Sequence, residues 1–84
     1  MRASVATLVP VARRHGEAKS GTWVANRARD GSVLVYHGKS VLLRVWPDNS
    51  VHVLNRWSRT RADRDGVRGI VSSIGLELND VKEP

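Results

Sequence analysis

Residues 29–51 read RDGSVLVYHGKSVLLRVWPDNSV, and three turn signals inside that stretch decide the fold. Asp30-Gly31 has the composition of a two-residue hairpin turn in which both central residues take positive φ. Gly38-Lys39 suits a turn that wants glycine first, and Pro47-Asp48-Asn49 suits a three-residue loop with a left-handed asparagine. The runs between them are short and rich in valine and leucine, as strands are. The reading is an antiparallel β-meander of four strands that starts near Thr22.

These turns set a register. Arg29 is expected opposite Ser32, Tyr36 opposite Val41, Leu34 opposite Leu43, Val45 opposite Val51 and Leu43 opposite Val53. One face then carries Trp23, Ala25, Leu34, Tyr36, Val41, Leu43, Val45, Val51 and Val53. The other carries Val24, Val33, Val35, His37, Leu42, Arg44, Trp46, His52 and Leu54. A slip of one residue at any turn exchanges the two sets.

Downstream the period changes. Val67, Ile70, Val71 and Ile74 recur at i, i+3, i+4 and i+7, one buried stripe of an amphipathic helix. Thr60 with Asp63 resembles a capping box, and Gly75 fits a left-handed C-terminal cap. Gly66 and Gly69 weaken such a helix but let it lie close to a sheet. The fold class is therefore α+β, with one C-terminal helix packed on one face of the meander. Residues 1–21 read as an N-terminal arm, an extra strand or a linker, with Pro10 ending the apolar run Val5–Val9. Residues 22–78 form the domain, and residues 79–84 an acidic tail.

Composition narrows the function classes. Eighty-four residues make one domain that hides roughly 60–65% of its unfolded surface. With no cysteine in the chain, disulfides and thiolate metal sites are excluded. No apolar run approaches the ~20 residues of a membrane span, and the start lacks the pattern of a secretory leader. A cytoplasmic protein is expected. The net charge is +6, from 14 basic and 8 acidic residues, which favours an acidic partner.

Enzyme chemistry finds little to use. His37-Gly38-Lys39-Ser40 looks like the end of a phosphate loop, but Val33 stands where that motif needs glycine, and a strand follows instead of a helix. His15, His37 and His52 lack metal-ligand spacing. No serine sits in a nucleophile elbow. The expectation is a non-enzymatic protein with no metal and no cofactor.

Two surfaces remain as candidates. Arg61, Arg64 and Arg68 share one helix face, and Arg56 and Arg59 extend it toward Trp57. Guanidinium groups grip phosphates in pairs of hydrogen bonds, and a nearby aromatic can stack on a base, so DNA or RNA is the leading partner. Asp63 and Asp65 lie among these arginines and offset part of their charge. The second surface is the sheet face with Val33, Val35, Leu42, Trp46 and Leu54, which one helix cannot cover along with the other face. Residues 1–12, a second copy in a homodimer, or a host protein would have to cover it.

Arg29-Asp30-Gly31-Ser32, His37-Gly38, Pro47-Asp48-Asn49 before Val51, and Trp57 followed by Thr60 and Arg64 together resemble small uncharacterised proteins of actinobacterial phages and mobile elements. The resemblance spans residues 26–64. In that group the third turn is commonly Pro-Asp-Gly, from which Asn49 departs. The resemblance implies a β-meander and an accessory role in the host cell, touching nucleic acid or disabling a host protein; the rival to nucleic-acid binding is an inhibitor that docks on a host protein, such as one of a defence system. It carries no catalytic residues.

Overall fold

The computed structural model describes residues 3–83. It is α+β, as expected, but has five strands and two helices. A 3-10 turn at Val5–Thr7 leads into α1, Leu8–His15. The strands are β1 Glu17–Ser20, β2 Trp23–Arg27, β3 Val33–His37, β4 Ser40–Val45 and β5 Val51–Val53. They form one antiparallel sheet in chain order. Helix α2 spans Arg61–Ser72, and a second 3-10 turn lies at Leu78–Asp80.

The stretch read as arm and linker supplies the additional helix and strand. Pro10 does not stop a strand. It sits in the first turn of α1, where its missing N–H has no helical partner to lose. Leu8, Val9 and Ala12 are fully buried, and Arg13, Arg14 and His15 occupy the last turn, where cations suit the helix dipole. Gly16 closes the helix at φ 90, its N–H donating to the Ala12 carbonyl at 2.8 Å. The polar run Glu17–Ser20 then pairs with β2, and only Ala18 in it is buried.

Two register differences follow, and they cancel. Arg29-Asp30-Gly31 is a three-residue loop: the Ala28 N–H donates to the Ser32 carbonyl at 2.7 Å. The Gly31 N–H returns to the Ala28 carbonyl at 3.1 Å, with Gly31 at φ 88. Ala25 therefore faces Val35 and Trp23 faces His37, one residue from the expected pairing. On β4, Tyr36 pairs with Val41 as expected, but a bulge leaves Leu42 extra and sets Val35 against Leu43. Beyond the bulge, Val45 faces Val51 and Leu43 faces Val53, as the third turn predicts, with Asn49 at φ 68.

The two asparagine- or glycine-tipped loops are the same device. In each, an aspartate accepts hydrogen bonds from the N–H and hydroxyl of the serine two residues on. Asp30 does so with Ser32 at 2.9 and 2.6 Å, and Asp48 with Ser50 at 2.9 and 2.6 Å. The shared pattern Asp-x-Ser was the sequence signal that separates this loop from a two-residue turn.

As a result Val33 and Val35 are fully buried beside Trp23, Ala25, Leu43 and Val45. Leu42 is also buried, Trp46 is half-buried, and Leu54 is 38% exposed. The expected docking surface of Val33, Val35, Leu42, Trp46 and Leu54 thus does not exist as one face. Both helices contribute to a single cluster with the Trp23 side of the sheet: Leu8, Val9 and Ala12 from α1, and Val67, Ile70 and Val71 from α2. Ile74 packs against that cluster half-buried. The Leu76 N–H bonds the Val71 carbonyl at 2.9 Å and the Gly75 N–H bonds Ser72 at 3.1 Å, with Gly75 at φ 84, so the expected glycine cap is a Schellman motif.

The two helical glycines are not equivalent. A Cβ at Gly66 would lie 2.1 Å from Trp23 Cζ2, whereas one at Gly69 would meet Ala6 Cβ at an ordinary 3.5 Å. Gly69→Ala should leave stability unchanged or raise it by up to ~1 kcal/mol through helix propensity. Gly66→Ala should lower it by about 1–3 kcal/mol despite the same propensity gain, because Trp23 must move. Thermal melts of the two variants check this.

The turn carboxylates also predict a pH response. Hydrogen bonds from Ser32 and Ser50 hold Asp30 and Asp48 below the ordinary value of 3.8. A carboxyl lowered in the folded state stabilises it above the unfolded value, and that contribution is lost as pH falls through the folded value. The melting temperature should therefore drop on acidification below about pH 4, and less steeply in the Asp30→Asn, Asp48→Asn double variant.

Candidate nucleic-acid interface

Thr60 starts α2 in extended geometry and its hydroxyl accepts the Asp63 N–H at 3.0 Å. Only this half of the expected capping box forms, because the Asp63 carboxylate is engaged elsewhere. It contacts Nδ1 of His37 on β3, and both side chains are mostly buried, at 21% and 13% exposure. The other ring nitrogen, Nε2, lies 2.9 Å from the hydroxyl of Thr22 in the β1–β2 turn. The imidazole itself stacks on Trp23 with centroids 4.2 Å apart and planes 5° from parallel. A hydroxyl, an imidazole and a carboxylate in this order resemble a nucleophilic relay. Here each comes from a different element, and together they tie the β1–β2 turn and β3 to the first turn of α2.

That tie changes the electrostatics of the opposite side of α2. Arg59, Arg61, Arg64 and Arg68 are exposed and, with Ser58, Thr60 and Asp65, line a shallow groove of about 470 Å³. A neighbouring depression of about 340 Å³ shares Arg64 and Arg68 and runs on to Ser72 and Asn79. Among the described residues, Asp65 is the one carboxylate that lines the first groove. It sits 3.7 Å from Arg61 and 3.8 Å from Arg68, loose contacts between half-exposed or fully exposed groups that are worth little. Asp63, expected to dilute the arginines, faces the sheet.

Two members of the expected stripe lie elsewhere. Arg56 is exposed but outside the groove, beside Glu83. The Glu83 carboxylate accepts the N–H groups of Trp57 at 3.0 Å and Ser58 at 2.7 Å. The bond from Ser58, with a smaller contribution from Arg56, holds this carboxyl below its usual range. Trp57 is half-buried and donates its indole N–H to the Val81 carbonyl at 3.2 Å, so it is a clasp for the C-terminal segment and not a lining residue of the groove. The acidic tail is likewise packed: Val81 is buried.

The remaining candidates resolve simply. His37-Gly38-Lys39-Ser40 is the β3–β4 turn, with Gly38 at φ 62. His15 and His52 are exposed on α1 and β5. Among the described residues no three metal-ligating side chains gather, and no helix is long and apolar enough to cross a membrane. The His37–Asp63 contact was not legible from spacing, since 26 positions separate its members and the expected register put His37 on the other face.

No family model, curated protein or solved structure matches the chain. The site is therefore read from its own geometry.

If the His37–Asp63 contact acts as one unit, its members are coupled. His37→Ala and Asp63→Ala should each destabilise the fold, and the double variant should cost less than their sum by about 0.5–3 kcal/mol. Urea melts of the four proteins check this, and strict additivity would show that the contact carries no stability.

Proposed function

We propose that the chain is a non-enzymatic nucleic-acid-binding protein whose contact surface is the arginine face of α2. The observation that supports this reading is the groove in which four arginines meet one carboxylate, Asp63 having been drawn to His37. Arginine is the side chain best matched to phosphate, because its planar fork gives two parallel hydrogen bonds to one group. The positive end of the α2 dipole lies at the same end as Arg59 and Arg61 and adds to the attraction.

The mode of binding follows from the residue types. Arginines that reach phosphates position the protein on the backbone and carry no sequence information. Among the described residues no aromatic side chain lines the first groove, so the proposed contact is with phosphates and not by base stacking. Binding should be sequence-tolerant and driven by release of counterions. Docking on a host protein is the second reading. Such a contact would show little dependence on salt.

Fluorescence anisotropy with a short duplex at several salt concentrations tests the proposal. The slope of log affinity against log salt should be about −0.9 for each phosphate neutralised. Arg61→Ala, Arg64→Ala and Arg68→Ala should each weaken binding and make that slope shallower by ~1, with unchanged melting curves. Arg29→Ala, at an exposed position in the β2–β3 loop, should leave it unchanged. No retention of DNA or RNA at low salt would overturn the reading.

A further inference from the structure

The face of the sheet turned away from both helices is organised in cross-strand rows. One row runs Glu17, Asn26, Leu34, Arg44, His52 from β1 to β5, and the next runs Lys19, Val24, Tyr36, Val41 from β1 to β4. Val24, Leu34, Tyr36 and Val41 are half-buried although neither helix covers them. They occupy the three central strands, with Glu17 and Lys19 on the β1 edge and Arg44 on β4 toward the other edge. The layout is that of an interface, with an apolar centre and a polar rim.

The charges along the first row are ordered. The carboxylate of Glu17 lies at the β1 end, and the guanidinium of Arg44 lies toward the other, next to His52. Arg44 packs over the Trp46 ring at 5.2 Å, and its Nε is buried with no hydrogen-bond partner among the described residues. A buried guanidinium N–H without an acceptor is costly unless something outside the chain supplies one.

We infer that this face is the interface of a homodimer, with the two-fold axis running along β3. Such an axis lies between the two sheets and keeps each row over its own copy in reverse order. Leu34 then meets Leu34 of the second copy, Tyr36 meets Tyr36, and Val24 covers Val41. Glu17 comes over His52, one strand from Arg44 of the second copy, and Arg44 comes over Asn26. The face is thus self-complementary in both charge and polarity, which is what a closed two-fold contact requires. Face-to-face sheets pack about 10 Å apart and cross at about 30°, so the match is closest at β3, where the apolar residues are. The alternative of edge pairing is less available. Ala3 already donates its N–H to Lys19 on the β1 edge at 2.9 Å, and β5 offers only three residues. Helix α2 and its arginine groove stay on the outside of the pair, so the groove remains open when two chains associate.

Sedimentation velocity over a range of concentrations gives the first test. The full chain should sediment at twice its chain mass, and Leu34→Glu at the chain mass with unchanged circular dichroism. A second test needs no disruptive charge. The natural chain has no cysteine, so single cysteines report proximity cleanly. Leu34→Cys, next to the axis, should cross-link to its copy on mild oxidation. Lys19→Cys, on the same face but at the β1 edge, and Ser72→Cys, on α2, should not. A wild-type monomer at every concentration, a dimer indifferent to Leu34→Glu, or equal cross-linking at positions 34 and 19 would each overturn the inference.

Discussion

Trp23 against the bare backbone of α2 at Gly66 is the contact on which the rest of the molecule is arranged. The indole comes so close that even a methyl group at Gly66 would collide with it. The ring also stacks on the His37 imidazole, and His37 in turn holds Asp63, one turn before Gly66 on the same side of α2. The helix is therefore clamped at two successive turns by a strand pair, β2 and β3. This fixes its rotation about its own axis. Val67, Ile70 and Val71 go into the core, and Arg61, Arg64 and Arg68 can only face water.

The same contact determines where charge lies. Asp63 and Asp65 look equivalent along the helix, two acids spaced among arginines. Rotation of α2 separates them: the first is turned toward His37 and mostly buried, and the second is left beside Arg61 and Arg68. A solvated helix with alternating charge would be neutral around its circumference. Here the circumference is divided, and the exposed part is the cationic part.

What was legible in the sequence were features carried by a few adjacent residues. The Gly38-Lys39 turn, the left-handed Asn49, the Val45–Val51 pairing, the Thr60 cap and the Gly75 cap are all local, and the structure has each of them. The errors came where local chemistry is ambiguous. Asp-Gly satisfies a two-residue turn and the three-residue loop equally well, and the hydrogen bonds to Ser32 decide between them. A bulge at Leu42 has no marker in a run of valines and leucines. Each is an error of one residue and each exchanges faces, so the stretch between them, β3 together with Val41 at the start of β4, was inverted. That inversion sent Val33 and Val35 to the wrong side and hid the His37–Asp63 tie. Helix α1 was missed because eight residues containing a proline offer too little periodicity to read.

An open sheet is what remains when a chain this short has used both its helices on one side. Two-layer folds bury one sheet face and leave the other to solvent or to a neighbour. In this protein the exposed face is apolar at its centre, while the cations on α2 lie on the far side of the helical layer. The two properties oppose each other in solution. A net charge of +6 per chain repels a second copy, and an apolar face attracts it. A polyanion held on the proposed α2 surface would act on the first term only, because its phosphates would neutralise charge without touching the sheet. By linkage, whatever lowers the repulsion between copies favours any pairing of them, and a paired protein would offer two arginine faces to one polymer at raised effective concentration. If both proposals hold, the separation of cationic and apolar surfaces onto opposite sides of an 84-residue chain would couple assembly to an acidic ligand without any change in conformation.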